Sequence, residues 1–355
     1  MTDARGIVGI IANPASGKDV RRLVARASVF DNQEKQAIVG RLLKGLSTVG
    51  ARNIVYMDDT HGIVSGAIER AILESDLGGM TCTPVTSTRT VSALDTETAA
   101  QAMRELGCAV VITLGGDGTN RAVAKRWPDA PLLPISTGTN NVFPRFVEAT
   151  VAGAAAGLVA TGQVPLAKVA RQRKLVRISI ADEADDIALI DAVLSRERFI
   201  GARALLAPER LAAALLTRAD PAAVGMTAIG GLIAPLRHRR NAGLWLELGP
   251  GGVIVEAPIA PGFYQPIAIR THRRTRLGEA VIVAGPGVLA FDGERERVLH
   301  EGQTAVMRVE RAGPWVIDVR RALRRAARHG LFARMKPPES ADADADADAD
   351  AEQGA

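Results

Sequence analysis

Cysteine and aromatic residues are both scarce in this chain, which has only two Cys and 3% Phe, Trp and Tyr among 355 residues. Two cysteines cannot build the disulfide framework of a small secreted domain, and neither Cys82 nor Cys108 has metal-ligand spacing around it. Both stand among apolar neighbours, Met80-Thr81-Cys82 and Leu106-Gly107-Cys108-Ala109. They are therefore expected to be buried, reduced and structural, which implies a cytoplasmic protein. The three tryptophans, Trp127, Trp245 and Trp315, are too dispersed to form a base-stacking platform, so nucleic-acid binding is not expected. The histidines (His61, His238, His272, His300 and His329) lack ligand spacing, so no metal site is indicated by them. No Ser-His-Asp set is visible. No apolar run reaches the length of a bilayer span, and the segment MTDARGIVGIIANP lacks the pattern of a signal peptide.

What is abundant is aliphatic. Apolar residues make up 47% of the chain, and there are 35 glycines. The length fits one large or two ordinary domains with a sizeable core of Val, Leu, Ile and Ala. The formal charge is +5. The charged residues of the last segment, 339–355, are all acids, among them Asp342, Asp344 and Asp346, so the rest of the chain is more basic than this figure suggests. A basic body suits an anionic ligand, and it also suits a plain solvated surface. The Ala-Asp repeat at 341–351 has nothing larger than Ala to bury and repels itself, so the tail is expected to be disordered.

Strand and helix alternate through the first 165 residues. Gly6–Ala12, Asn53–Met57, Ala109–Leu114 and Leu132–Ile135 read as short buried strands. Gln33–Val49, Ile63–Glu74 and Thr96–Leu106 have helical apolar spacing. This order predicts an α/β domain with a parallel sheet over residues 1–165. Short alternating strands separated by Gly and Pro then predict a β-rich domain over 166–317. Its strands are expected at Lys174–Ala181, Gly243–Leu248, Gly252–Ala257, Gln265–Arg270, Ala280–Ala284, Val288–Phe291 and Thr304–Val309, with an inserted helix at Pro208–Thr217. A basic helix is expected from Asp318 to Met335, within a C-terminal segment 318–338 that can pack back on the first domain.

Three loops carry chemistry. Gly115-Gly116-Asp117-Gly118-Thr119 follows an apolar strand, at the end where open α/β sheets bind ligands. Glycines there let backbone N–H groups approach phosphates, and Asp117 supplies a carboxylate to a metal or to a departing proton. Thr119 can meet phosphate or cap the next helix. The alternative is a Gly-rich turn with Asp117 as a helix cap. Ser136-Thr137-Gly138-Thr139-Asn140-Asn141 follows the next strand and can face the same crevice, or be an ordinary turn. Asn13-Pro14-Ala15-Ser16-Gly17-Lys18 breaks the first strand, and Lys18 is either a phosphate contact or a solvated lysine.

GGDGT followed by Pro-x-x-x-Gly-Thr-x-Asn resembles the NAD kinase and diacylglycerol kinase superfamily, over roughly residues 6–335. The resemblance implies ATP with Mg²⁺, an essential Asp117, and phosphate or nucleotide contacts from Asn13, Pro14, Ser16, Gly17, Lys18, Gly115, Gly116, Gly118, Thr119, Thr137, Gly138, Thr139, Asn140 and Asn141. Metal binding by the protein would be limited to Asp117 and Mg²⁺. Phe291-Asp292-Gly293 with the charged residues after it is similar to a family hairpin near the acceptor, and reads on its own as an Asp-Gly β-turn. Order and spacing resemble NAD kinases more than lipid kinases. NAD kinases carry an Asn-Glu pair for the acceptor ribose, where this chain has Ile190-Asp191. Asp191 and Asp292 are thus the acceptor candidates. The resemblance is strongest to the ATP–NAD kinase-like subgroup called acetoin catabolism protein X. It implies a kinase of NAD(H), with another hydroxylated acceptor such as a lipid or polyol, or a nucleotide-binding accessory protein, as the alternatives. Superfamily members are often homo-oligomers. The runs Arg237–Arg240, Arg270–Arg276 and Arg320–Arg328 are either solvated faces or contacts for an anionic partner.

Overall fold

The computed structural model describes residues 6–16, 31–74, 77, 79–85, 89–138, 141–196 and 210–333. Gly17, Lys18, Thr139, Asn140 and the acidic tail lie outside these described residues.

Five strands pair in parallel in the first part of the chain: β1 (Ile7–Ala12), β2 (Asn53–Met57), β3 (Thr81–Val85), β4 (Val110–Gly115) and β5 (Pro131–Ser136). Their order is β3-β2-β1-β4-β5. Helices α1 (Asn32–Thr48), α2 (Ile63–Leu73), α3 (Ala93–Glu105), α4 (Asp117–Arg126) and α5 (Ala149–Ala160) cover both faces. The two faces of one strand show why it reads as an unbroken apolar run. In β4, Val110, Ile112 and Leu114 join the core under α1, α2 and α5, while Val111 points to the core under α3 and α4. The edge strand β3 escaped the sequence reading because TCTPV is mostly polar and contains Pro84, which an edge position tolerates.

The chain continues through a short helix α6 (Leu166–Val169) and β6 (Ala170–Gln172) into two antiparallel sheets. One has six strands: β9 (Asp191–Ser195), β10 (Leu211–Leu216), β11 (Ala242–Ala260), β12 (Phe263–Arg276), β14 (Gly287–Phe291) and β15 (Glu294–Leu299). The other has four: β7 (Leu175–Ile180), β8 (Asp186–Ala188), β13 (Val281–Ala284) and β16 (Thr304–Glu310). Val176, Ile178 and Met307 of the smaller sheet pack on Leu194, Leu215 and Phe291 of the larger one. Helix α7 (Met226–Ile233) covers the larger sheet's other face. Finally β17 (Trp315–Ile317) returns to the first sheet, parallel to β5 and antiparallel to β6.

Four expectations are corrected. The helix expected at Pro208–Thr217 is instead, in its described part, strand β10. Leu-Ala-Ala-Ala-Leu-Leu is good helix-forming sequence, but Leu215 faces one core and Ala214 and Leu216 the other, and pairing with β9 and β11 overrides the propensity. The strands expected at Gly243–Leu248 and Gly252–Ala257 are one strand, β11, with an irregularity between Leu248 and Val253. Gly249 and Gly251 take positive φ there, and both Leu248 and Val253 face Ile269. Helix α8 (Val319–Arg328) stops short of Met335, with Gly330 in the left-handed region just beyond it. Its Ala322 and Ala326 are buried in the core that contains α5, while Arg321, Arg324 and Arg328 face solvent. Cys108 is buried, but Cys82 is only partly so, and burial pushes both thiols up, to about 12 and about 11.

Helices α1 and α5 touch backbone to backbone. A methyl at Gly153 would overlap the Leu42 carbonyl, and one at Gly45 would overlap the Thr150 carbonyl and lie 2.8 Å from the Ala154 nitrogen. Gly40, on the same helix α1, has nothing within 4 Å of that position. Gly153→Ala should therefore destabilise the protein by about 1–3 kcal/mol through overpacking. Gly40→Ala should be neutral or stabilise by up to ~1 kcal/mol through helix propensity. Urea unfolding of the two variants checks this, and equal effects would be incompatible with the backbone contact.

Candidate functional site

The loop 115–119 leaves β4 and turns at once into α4, whose first residue is Asp117. Gly116 is the N-cap and brings no side chain to the first-turn N–H groups. A methyl at Gly115 would overlap the Thr119 side chain, and one at Gly116 would sit 2.8 Å from Asn141 Oδ1. The loop is thus as close to its neighbours as glycine permits. Gly115 and Thr119 are buried, and Gly116, Asp117 and Gly118 form a half-exposed tip.

The three predicted loops are fastened to one another. Asn13 Nδ2 donates to Thr119 Oγ1 at 2.9 Å, and the hydroxyls of Ser16 and Thr137 lie 2.9 Å apart. Asn141 Nδ2 donates to Ser136 Oγ at 2.8 Å and to the Gly138 carbonyl at 3.2 Å. Thr119 and Thr137 are buried, at 4% and 0% exposure, so their hydroxyls serve these latches rather than the open crevice. Asp117 accepts from the backbone N–H groups of Val142, at 3.1 Å, and Phe143, at 2.7 Å. Its carboxylate therefore ties the first loop to the second.

Lys35 was not marked by the sequence, where it reads as an ordinary charge in the first turns of α1. It is fully buried, and its ammonium donates to the carbonyls of Asn13, Pro14 and Ser16 and to Asn32 Oδ1, at 2.7–3.2 Å. A lysine so placed fixes the backbone of the first loop, because a buried ammonium must spend its protons on acceptors.

The second half of the chain supplies the opposite wall. Asp292 and Gly293 both have positive φ, which gives the tight turn between β14 and β15. The turn brings Glu294 against Gly118, where a methyl would overlap its carboxylate. Asp292 is buried and accepts from the backbone N–H groups of Leu189, Ile190 and Asp191 at 2.7–3.2 Å. Asp292 thus holds the strand junction that carries Asp191, and is itself turned inward. Asp191 is brought beside it, at 9% exposure. Ile190 is packed with Leu175, Ile187 and Leu189, at 3% exposure, so it offers the crevice nothing polar. Two arginines the sequence did not mark complete the wall. Arg121, on α4, is buried, and reaches the Ile187 carbonyl and Asp186. Arg218 donates to the Val142 carbonyl at 3.1 Å and pairs with Asp220.

Mg²⁺ requires oxygen donors, and Asp117 and Glu294 bring two carboxylates to the same few atoms of loop. They fit an ion that arrives with a phosphate chain. Among the described residues, no group of three or more His, Cys, Asp or Glu is gathered as a stand-alone metal site. No helix among them is long and apolar enough to cross a membrane.

Burial pushes the Asp292 carboxyl up from 3.8 to about 7, with the nearby Asp117 charge adding to the rise and the Leu189 and Ile190 N–H groups and Arg121 opposing it. A raised folded value means the folded protein holds this proton more tightly. The resulting stabilisation is complete below about pH 3.8 and is lost as pH rises through about 7. Asp292→Asn cannot titrate, so its stability deficit relative to wild type should shrink between pH 4.5 and pH 8. Chemical unfolding at several pH values measures it, and a deficit that stays constant or grows would show the carboxyl to be ionised throughout.

Comparison with known proteins agrees with this fold. Residues 8–164 match the ATP-NAD kinase N-terminal domain, and residues 174–312 match the acetoin catabolism protein X C-terminal domain. The fold is similar to the crystal structure of yeast NADH kinase complexed with NADH, with a TM-score of 0.53 at 12% identity, over 95% of this chain and 91% of that one. Acetoin catabolism protein X from Cupriavidus necator is 37% identical over 344 residues, which cover 94% of this chain and 95% of that protein. The chain belongs to the acetoin catabolism protein X family, with an N-terminal domain of the ATP-NAD kinase type.

Proposed function

We propose that the protein is an ATP-dependent kinase that phosphorylates a hydroxyl of a small-molecule acceptor, with NAD(H) as the leading acceptor and NADP(H) as product. The observation that carries this reading is the half-exposed Gly116-Asp117-Gly118 tip. It lies at a strand end and helix start, faced by Glu294 from the other half of the chain. Backbone N–H groups at a helix start favour phosphate oxygens. Mg²⁺ held by Asp117 and Glu294 would neutralise charge on the phosphate chain. Asp117 is held by Val142 and Phe143 in one position, ready to orient the metal or to take the proton of the attacking hydroxyl. Asn141 and Gly138 lie beside it and suit the nucleotide. Asp191, and Glu294 in the turn after Asp292, would face the acceptor.

The burial of Ile190 favours a second reading, in which the acceptor is another hydroxylated molecule, a lipid or a small polyol. The NAD kinase pattern has an amide at this position, and an aliphatic side chain packed into the core cannot bond a ribose hydroxyl.

Wild-type protein incubated with ATP, Mg²⁺ and NAD⁺ or NADH should yield NADP(H), quantified by chromatography. Asp117→Asn, which keeps the side-chain shape, should lower the rate by about 10²–10⁴-fold, the usual worth of a positioned acid-base group. ATP binding without NADP(H) would move the assignment to the second reading, tested with diacylglycerol in vesicles and with polyols. ATP binding without turnover of any acceptor would favour an accessory role.

A further inference from the structure

Helix α8 carries a row of arginines that the rest of the fold leaves alone. The helix lies against α5 through Ala322 and Ala326, which are buried in the first core, with Val319 and Leu323 packed beside them. Arg320, Arg324 and Arg328 recur every four residues on the opposite side, with Arg321 next to the row, and all four are exposed. Other surface arginines find acids: Arg41 pairs with Glu34 and Glu148, Arg177 with Asp185 and Glu310, and Arg273 with Glu279. Among the described residues, no side-chain hydrogen bond or ion pair involves Arg320, Arg321, Arg324 or Arg328.

Like charges four residues apart on a helix are neighbours and destabilise it. The N-cap Asp318 spends its carboxylate on the Arg321 N–H at 2.9 Å, and α8 holds no acid of its own. Lipid suits the row poorly, because the apolar side of the helix is spent on the core and is not left to insert.

The sequence supplies a counter-charge close by. Residues 334–338 separate Ala333, where the described residues end, from Glu339. Asp342, Asp344, Asp346, Asp348, Asp350 and Glu352 follow, with no Lys or Arg among them. The spacings correspond. Arginines four residues apart on a helix are about 6 Å apart along its axis. Aspartates two residues apart in an extended chain are about 6.6 Å apart and on the same side. Helix α8 is about 15 Å long. Five residues span up to about 17 Å, so the segment can turn back after Ala333 and run the length of the helix.

We propose that the acidic segment 339–355 docks on the Arg320-Arg324-Arg328 row of α8 and shields it from other polyanions. One exposed ion pair is worth little. Several in register on a tethered segment add, because the tether keeps the local concentration high. The contact is electrostatic, and salt weakens it. It does not rest on the kinase reading.

The test uses the full chain carrying Asp342→Asn, Asp344→Asn, Asp346→Asn, Asp348→Asn and Asp350→Asn, which leaves the row open. A fluorescent synthetic peptide of residues 339–355 is titrated in at low salt and its anisotropy followed. The peptide should bind this variant at least tenfold more tightly than wild type, whose own segment covers the row. Adding Arg320→Gln, Arg324→Gln and Arg328→Gln should abolish the gain, and glutamine preserves helix propensity, so α8 persists. Adding Arg237→Gln, Arg239→Gln and Arg240→Gln instead changes the charge equally and should leave binding unaltered. Equal peptide binding by wild type and the Asn variant, or equal losses from the two arginine sets, would overturn the docking. Leu331 and Phe332 are exposed just past the helix, which makes a membrane the rival occupant. Wild type should ignore vesicles of phosphatidylserine and phosphatidylcholine. Vesicle binding that the Arg320, Arg324 and Arg328 substitutions abolish and the Asn substitutions leave unchanged would assign the row to lipid and overturn it too.

Discussion

The crevice depends on one buried arginine. Arg121 lies one turn beyond Asp117 on α4, and its guanidinium crosses to the other half of the chain. There it donates to the Ile187 carbonyl, pairs with Asp186 at 2.8 Å, and stands over the Phe291 ring at 5.2 Å. The side chains of the pair are 4% and 3% exposed. Ile187 leads into the 189–191 junction, and Phe291 leads into Asp292. A single side chain therefore sets the glycine loop, the junction and the hairpin in register. A buried pair of this kind adds little net stability, and losing one partner of such a pair costs up to about 3–5 kcal/mol, although Lys125 at 3.9 Å and Arg297 at 3.5 Å would still face Asp186. It specifies how the halves meet more than it strengthens them.

The other polar groups of the site extend the same logic. Asp117 spends its carboxylate on two N–H groups of the second loop, and Asp292 spends its carboxylate on three N–H groups of the junction. Lys35 does the converse, using its protons on carbonyls of the first loop. Charged side chains here grip backbone, and the backbone of the three loops is what surrounds the Gly116–Gly118 tip. The described residues of a site assembled this way are held in place before any ligand arrives, and little reorganisation would be needed if charge developed there.

The parallel strands and the glycine loop were legible in the sequence for a common reason. Buried parallel strands must be apolar on both faces, and a close backbone approach must be glycine, so local composition reports both. Strand β10 was illegible for the opposite reason, since its Ala and Leu residues suit a helix locally and only their partners make them a strand. The loops around the site could be read from Asn13, Asp117 and Asn141, but Lys35, Arg121 and Arg218 could not. Nothing in the sequence near Lys35 distinguishes it from a solvated helix charge, and its acceptors lie about twenty residues earlier in the chain. Asp292 was marked by its Asp-Gly turn, which gave its position in the hairpin, but not that its carboxylate turns inward to hold residues 189–191.

What remains of the crevice is polar in an uneven way. Ile190 closes one position with hydrocarbon, where the NAD kinase pattern has an amide. Carboxylates from Asp117 and Glu294 stand by the loop tip, and Arg218 stands on the other side of the Val142 peptide, whose N–H donates to Asp117 and whose carbonyl accepts from Arg218. Such an arrangement of charge would orient a charged ligand without a dedicated contact for each hydroxyl. A molecule with a hydroxyl at one end and an anionic group at the other would align with its hydroxyl toward the carboxylates. Reversing it would set anion against carboxylate, and like charges brought together in a partly desolvated space cost several kcal/mol. Selection by charge tolerates variation in the middle of the acceptor and rejects the wrong orientation. An acceptor recognised in this manner need not fill the position of Ile190 at all.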